Sequence, residues 1–329
     1  MKDLLQWLKL MVRTNQVPLL VGKPGIGKSD TVEQLARELN RPLITIDANE
    51  FDAIDLKGMI DIENKGDRVN ARTFYATPSF WPCGQDDNHL LFIDELLTCP
   101  PSVQNVLLKL TSDRREIGEN RLGDNVRLIA ATNSNDDGAH VFDISTPSRD
   151  RFWVRELTVD LPTWITWAKA NNINPIITSF IEANQTMLHT QGDERLMDPN
   201  DSSKIMTPRR WAKLSPLMPE LLNNNCNDTL ERMVAEQAGE KVSVAFLSHV
   251  ALVKDLPPLD EILLTPRTAI LPLDILTYDL LTKTLVNLCR NGKNRKAVAI
   301  YVRRFPGETK AVAINNLLNT HPHMADLFD

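Results

Sequence analysis

The chain has 329 residues, 42% hydrophobic and 24% charged, with a formal net charge of −6. That length accommodates two domains with cores, and that composition belongs to ordinary soluble globular proteins. The acidic balance excludes a global basic field of the kind that draws nucleic acid, although a basic channel lining a ring pore would be compatible with the average. The four cysteines, Cys83, Cys99, Cys226 and Cys289, are scattered without C-x-x-C spacing, so neither a zinc site nor a disulfide framework is expected.

At the start, Lys2 to Leu10 places apolar residues at helical spacing between charges, which predicts an amphipathic helix. It has neither the uninterrupted apolar stretch nor the small-residue cleavage site of a signal peptide, and no apolar run reaches membrane-spanning length. A cytoplasmic, reduced protein with no membrane partner is expected. From residue 17 to about 158, short apolar strands alternate with helical stretches, which predicts a parallel sheet covered on both faces. The strand candidates are Leu19–Val21, Leu43–Ile46, Leu90–Ile93, Val126–Ala131 and Val154–Leu157. A helix is expected over Asp30–Leu39. After Asp160 the β-branched runs thin out and helical patterning takes over at Pro162-Thr163-Trp164-Ile165. The polar, acidic segment Asp193–Ser203 reads as an exposed loop within that helical part. A last helical unit runs from about Thr268 to the end, broken at Phe305-Pro306-Gly307.

Between the first strand and the following helix lies Gly22-Lys23-Pro24-Gly25-Ile26-Gly27-Lys28-Ser29, a full G-x-x-x-x-G-K-S/T phosphate loop. Glycines let consecutive backbone N–H groups curl around a phosphate chain, and the helix that opens toward Asp30 adds its positive N-terminal end. Lys28 would reach the β- and γ-phosphates of ATP, and the Ser29 hydroxyl would ligate Mg²⁺. His89 to Glu95 is an apolar strand ending in two carboxylates. In phosphoryl transfer the first, Asp94, would hold Mg²⁺, partly through water, and the second, Glu95, would polarise the attacking water. The strand at Val126–Ala131 ends in Thr132-Asn133-Ser134-Asn135. Asn133 would lie beside the two acids at the carboxyl edge of the sheet, there to orient the lytic water or touch the γ-phosphate. Ser148-Arg149-Asp150-Arg151-Phe152 sets two arginine forks before the last strand. Thr207-Pro208-Arg209-Arg210-Trp211 reads as a helix start with Thr207 at the cap and Pro208 at the first position.

These motifs, in this order, resemble those of the AAA+ ATPases, and within them the MoxR-like and dynein-related group, over roughly Leu19 to Trp211. Gly22 to Ser29 is similar to Walker A, Phe92 to Glu95 to Walker B, and Asn133 to sensor 1. Asp150-Arg151-Phe152 resembles the segment carrying the arginine finger. That implies that Arg151, with Arg149 as the second candidate, acts on nucleotide in a neighbouring subunit. Thr207-Pro208-Arg209 resembles sensor 2, implying that Arg209 acts in cis. Asp55–Gly58 and Ala76–Pro82 resemble the flanks of a helix-2 insert, and Arg115–Asp124 the hairpin before sensor 1. Two features depart from the family: Ser134 stands where many relatives have proline, and the arginine doublets leave finger and sensor open between neighbours.

The expected fold is α/β, with a parallel-sheet P-loop core over residues 1–158, as the resemblance implies. Helical patterning adds an α-helical lid over 159–265 and a helical extension over 266–329, residues after about 215 matching no motif of the family. The resemblance also implies ATP and Mg²⁺ as cofactors, a homo-oligomer in the form of a hexameric ring, and remodelling of a protein partner that carries a von Willebrand factor A domain. Two other functions compete. A nucleic-acid motor or restriction-type translocase would need a basic pore, and the candidate loop Ile62–Arg68 has balanced charge. A nucleotide-binding scaffold without turnover would not need Lys28, Asp94, Glu95 and Arg151 together.

Overall fold

The computed structural model describes residues 2–63, 69–84, 87–118, 120–134, 149–198, 200–223, 227–289 and 292–328. Helix α1 (Lys2–Arg13) precedes strand β1 (Pro18–Gly22), and helix α2 (Lys28–Leu39) follows the glycine-rich loop. Strands β2 (Leu43–Asp47), β5 (Leu90–Asp94), β8 (Arg127–Thr132) and β9 (Trp153–Leu157) join β1 in one five-stranded sheet of order β2-β5-β8-β1-β9. Every pairing in it is parallel. All five strands expected from the sequence are present. Two hairpins lie outside the sheet: β3 (Ile60–Glu63) with β4 (Arg72–Tyr75), and β6 (Glu116–Ile117) with β7 (Asn120–Arg121). The first falls between the two flanks expected for an insert, the second where a hairpin before Asn133 was expected.

The strands read as continuous apolar runs because both faces are covered. Successive side chains point to opposite faces, so Leu19, Leu91, Ile93, Leu128 and Ala130 enter one core, with Leu56, Trp81, Val103 and Leu107. Leu20, Leu90, Phe92, Ile129 and Ala131 enter the other, against Leu5 and Leu8 of α1 and Val32 and Leu35 of α2. A fully buried leucine in such a place contributes about 1.5–3 kcal/mol. Parallel strands also bring their carboxyl ends to one edge. Val21 pairs with Thr132, and Asp47 with Asp94, so Gly22, Asp94 and Asn133 emerge side by side.

The chain forms two compact units, residues 1–173 with 184–217, and residues 174–183 with 218–329. In the first, helix Leu161–Ala170 is capped by Asp160, whose carboxylate accepts from the Thr163 N–H at 3.0 Å. Helix Pro208–Leu214 begins as expected, with Thr207 Oγ1 accepting from the Arg210 N–H at 3.2 Å. The expected loop at Asp193–Ser203 is stapled by Asp198 and Lys204 at 3.0 Å.

The second unit is helical, with Ile275–Leu288, Arg295–Val302 and Gly307–Thr320 packed around Tyr278, Leu281, Tyr301 and Phe305. The helices break at Phe305-Pro306, as the sequence suggests. The Tyr301 hydroxyl donates to the Ile270 carbonyl at 2.6 Å, and burial pushes its ionisation up. One stretch of this unit, Glu240–Leu264, has the length and a mean hydropathy of 1.3 that a membrane span requires, where the sequence analysis expected no such run. Pro257 and Pro258 interrupt it, dividing it into helices Glu240–Lys254 and Leu259–Leu264, and Val242, Phe246 and Val250 are buried. Val244 and Leu264 are exposed, and 33% of the stretch's most apolar window is buried.

Candidate nucleotide site

Lys23 to Gly27 curl tightly between β1 and α2 because two glycines take left-handed backbone angles, φ +73° at Gly25 and +96° at Gly27. Gly25 also has no room for a side chain: a Cβ there would lie 2.8 Å from Thr207 Oγ1. The backbone bond from the Arg209 N–H to the Gly25 carbonyl, at 3.2 Å, fixes helix Pro208–Leu214 against the loop. Lys23 turns away and donates to the Gln191 carbonyl at 2.8 Å, so it offers the loop's interior only its backbone.

Lys28 is buried, and its Nζ donates to the Gly22 carbonyl at 2.7 Å and to Asn133 Oδ1 at 2.8 Å. The Ser29 hydroxyl donates to Asp94 Oδ2 at 2.7 Å. Asn133 Nδ2 donates to both oxygens of Glu95, at 2.8 and 2.9 Å. The cleft so formed is lined by Pro24, Gly25, Lys28, Ser29, Asp94, Glu95, Asn133 and Arg209. Four motifs spread over nearly two hundred residues of sequence meet there.

The structure separates the two arginines that the sequence leaves open at helix Pro208–Leu214. Arg209 lines the cleft, whereas Arg210 Nη1 donates to the Ile205 carbonyl. Arg149 and Arg151 do not line it. Both are exposed, and Arg151 Nη1 reaches the Leu108 carbonyl at 3.4 Å. Asp30 is exposed in the first turn of α2, where a carboxylate complements the helix dipole. Ile26 fills the space above Gly22, where a Cβ would lie 2.6 Å from its Cδ1. Asn64 to Arg68 of the candidate pore loop, Glu119, Asn135, Ser148 and Cys226 lie outside the described residues.

Two site residues escape the sequence. Thr98 Oγ1 donates to Glu95 Oε2 at 3.0 Å, and Asn49 Nδ2 donates to Thr98 Oγ1 at 3.0 Å. Thr98 precedes Cys99-Pro100-Pro101 and reads as the approach to a helix; Asn49 follows β2 with no motif around it.

The Ser29 hydroxyl and the Asp94 carboxylate already meet as two hard oxygen donors, which suits Mg²⁺. The buried amino group of Lys28 and the opened loop suit a phosphate chain. The fold and cleft together are those of a P-loop NTPase. Residues 18–152 match the family model of the AAA domain, dynein-related subfamily. That segment, which holds four of the sheet's five strands and the glycine-rich loop, is thus similar to AAA domains of that subfamily. No curated protein matches it. Among solved structures it is similar to NtrX from Brucella abortus in complex with ADP, at 16% identity and TM-score 0.40, covering 97% of this chain and 68% of that one. It is also similar to a variant of RuvB from Thermotoga maritima, at 16% identity and TM-score 0.41, covering 88% and 77%. At those scores the assignment rests on the family match and the motifs.

Proposed function

We propose that the protein is a Mg-ATP-dependent ATPase of MoxR-like character that closes into a hexameric ring and remodels a protein partner. The observation that carries the nucleotide reading is the meeting of Lys28, Ser29, Asp94, Glu95, Asn133 and Arg209 in one cleft. AAA domains hydrolyse nucleotide as a family, and every group that hydrolysis needs from one subunit is present. Lys28 and the loop N–H groups would hold the β- and γ-phosphates, with Arg209 adding a second cation. Ser29 and Asp94 would hold Mg²⁺, which when bound neutralises charge on the phosphates. Glu95 takes a proton from the attacking water, and Asn133 orients both.

Arg151 is absent from the cleft of its own subunit, which fits a residue that serves a neighbour's site. An arginine acting in trans requires a head-to-tail interface, and such interfaces close into rings where the rotation allows. A partner with a von Willebrand factor A domain is taken from the family resemblance alone, whereas a lid over residues 159–265 and an extension over 266–329 follow from the helical patterning of the sequence.

Titration calorimetry with Mg-ATP on the parent and Lys28→Ala tests the site. The parent binds and Lys28→Ala does not, because the substitution removes the buried ammonium that faces the β- and γ-phosphates; equal affinity would remove the assignment. Turnover by the parent excludes the scaffold reading. A gel shift with duplex DNA tests the motor reading, which would gain support only if binding and DNA-stimulated turnover appeared together.

A further inference from the structure

We propose that Thr98, backed by Asn49, is a positioning residue that fixes which oxygen of Glu95 accepts the proton. The inference rests on the reading of Glu95 as the base. Topology brings the three residues together. Asp47 ends β2 in register with Asp94 at the end of β5, so the turns that follow the two strands run side by side. The Asp47 carboxylate accepts from the Asn49 N–H at 3.0 Å and sets the first turn, Ala48–Glu50. The second turn is closed by the Thr98 N–H on the Glu95 carbonyl, at 3.1 Å.

Glu95 sits at φ +56°, in the left-handed region that a residue with a long side chain rarely occupies. Such a backbone costs on the order of 1–3 kcal/mol and persists only where its surroundings hold it. Thr98 Oγ1 lies 3.0 Å from both the Glu95 carbonyl and its Oε2, within reach of main chain and side chain at once. The Asn49 amide, donating to Thr98 Oγ1 at 3.0 Å, occupies a lone pair of that oxygen. Since the Glu95 carbonyl already accepts from the Thr98 N–H at 3.1 Å, the single hydroxyl proton is assigned to Oε2.

The acceptor count on the carboxylate then becomes unequal. Oε2 receives Asn133 and Thr98, and Oε1 receives Asn133 alone. Each carboxylate oxygen offers about two lone pairs. The remaining one lies on Oε1, and that oxygen takes the proton from water. Without Thr98 only Asn133 holds the carboxylate, on both oxygens at once, so nothing else distinguishes Oε1 from Oε2, and the terminal torsion of glutamate is broad. The water then meets the wrong oxygen or the wrong angle.

The test measures kcat, KM for ATP, calorimetric affinity and melting temperature on the full chain. Thr98→Val keeps the shape and removes the hydroxyl; kcat should fall about tenfold, as for other supporting residues, with affinity for Mg-ATP unchanged. Thr98→Ser restores the hydroxyl and should recover most of the loss. Asn49→Ala, on an exposed turn, should lower kcat by a smaller factor and leave melting unchanged, so the idea stays testable even if the valine variant folds poorly. Parent kcat in both Thr98→Val and Asn49→Ala, or a serine variant no better than valine, overturns it. Glu95→Gln is the control. If it turns over like the parent, the base assignment fails; if it is inactive while Thr98→Val is normal, only the positioning role fails.

Discussion

Asn133 bridges the two charged groups that would work on opposite sides of a γ-phosphate: its Nδ2 chelates the Glu95 carboxylate at 2.8 and 2.9 Å while its Oδ1 accepts from Lys28 at 2.8 Å. One amide therefore ties the proposed base to the cation proposed to bind phosphate. Neither is left unpaired in a half-buried cleft, where an uncompensated charge would be expensive.

Because the pair acts as a unit, their substitutions should not add. Glu95→Gln should hold ATP while turnover falls by about a hundredfold or more, since the base is lost and the shape is kept. Asn133→Ala should fall to within about tenfold of it, and the double variant should be no slower than the worse single one. Steady-state rates on the four proteins form a double-mutant cycle. Losses that multiply would show that the Asn133–Glu95 contact does not carry into the active state.

Much of this cleft was legible in the sequence, because a phosphate loop and an acidic strand end each carry their chemistry at fixed local spacing. Pattern alone also gave the five strands, since a sheet covered on both faces turns them into unbroken apolar runs. Asn49 and Thr98 were not legible. Their roles arise from two strands lying in register, and register is a property of pairing across forty-odd residues of chain. The choice between Arg209 and Arg210 was hidden for a similar reason. Adjacent residues in a first helical turn point in different directions, and only the docking of that turn on Gly25 decides which one faces the cleft.

The second unit carries a pH dependence of its own. His249 is only 8% exposed, and its Nε2 lies 2.8 Å from Ser179 Oγ. Burial, followed by the positive charge of Lys283, pulls its pKa below the ordinary 6.5. The neutral ring is therefore the folded form. As pH falls below 6.5 the unfolded chain takes up a proton that the folded chain refuses, so stability drops until the folded pKa is reached. Above neutrality this group contributes no slope. Chemical denaturation of the parent should show a midpoint that falls between about pH 7 and 5, and His249→Gln should flatten that fall. The same slope in both proteins would assign the acid sensitivity elsewhere.

The proposed ring makes the most discriminating prediction, because Arg151 should work in a site it does not line. Its guanidinium is exposed and its nearest bond is a long one, 3.4 Å to the Leu108 carbonyl, so it is available to a neighbouring subunit without breaking anything strong. Arginines acting in trans are worth ~10³ to 10⁵ in rate. Arg151→Ala should accordingly bind ATP like the parent and barely hydrolyse it. Lys28→Ala subunits have the opposite defect, an intact arginine and no usable site. Mixed, the two inactive proteins should regain part of the parent's turnover, since at an interface of the right polarity a whole site is assembled from two broken subunits. Specific activity of the parent should also rise with protein concentration through the assembly range. A parent fully active as a monomer, or mixtures that co-assemble on a sizing column and stay inactive, would remove Arg151 from the shared site. Arg149→Ala in the same mixing format then decides between its neighbour and no trans arginine at all.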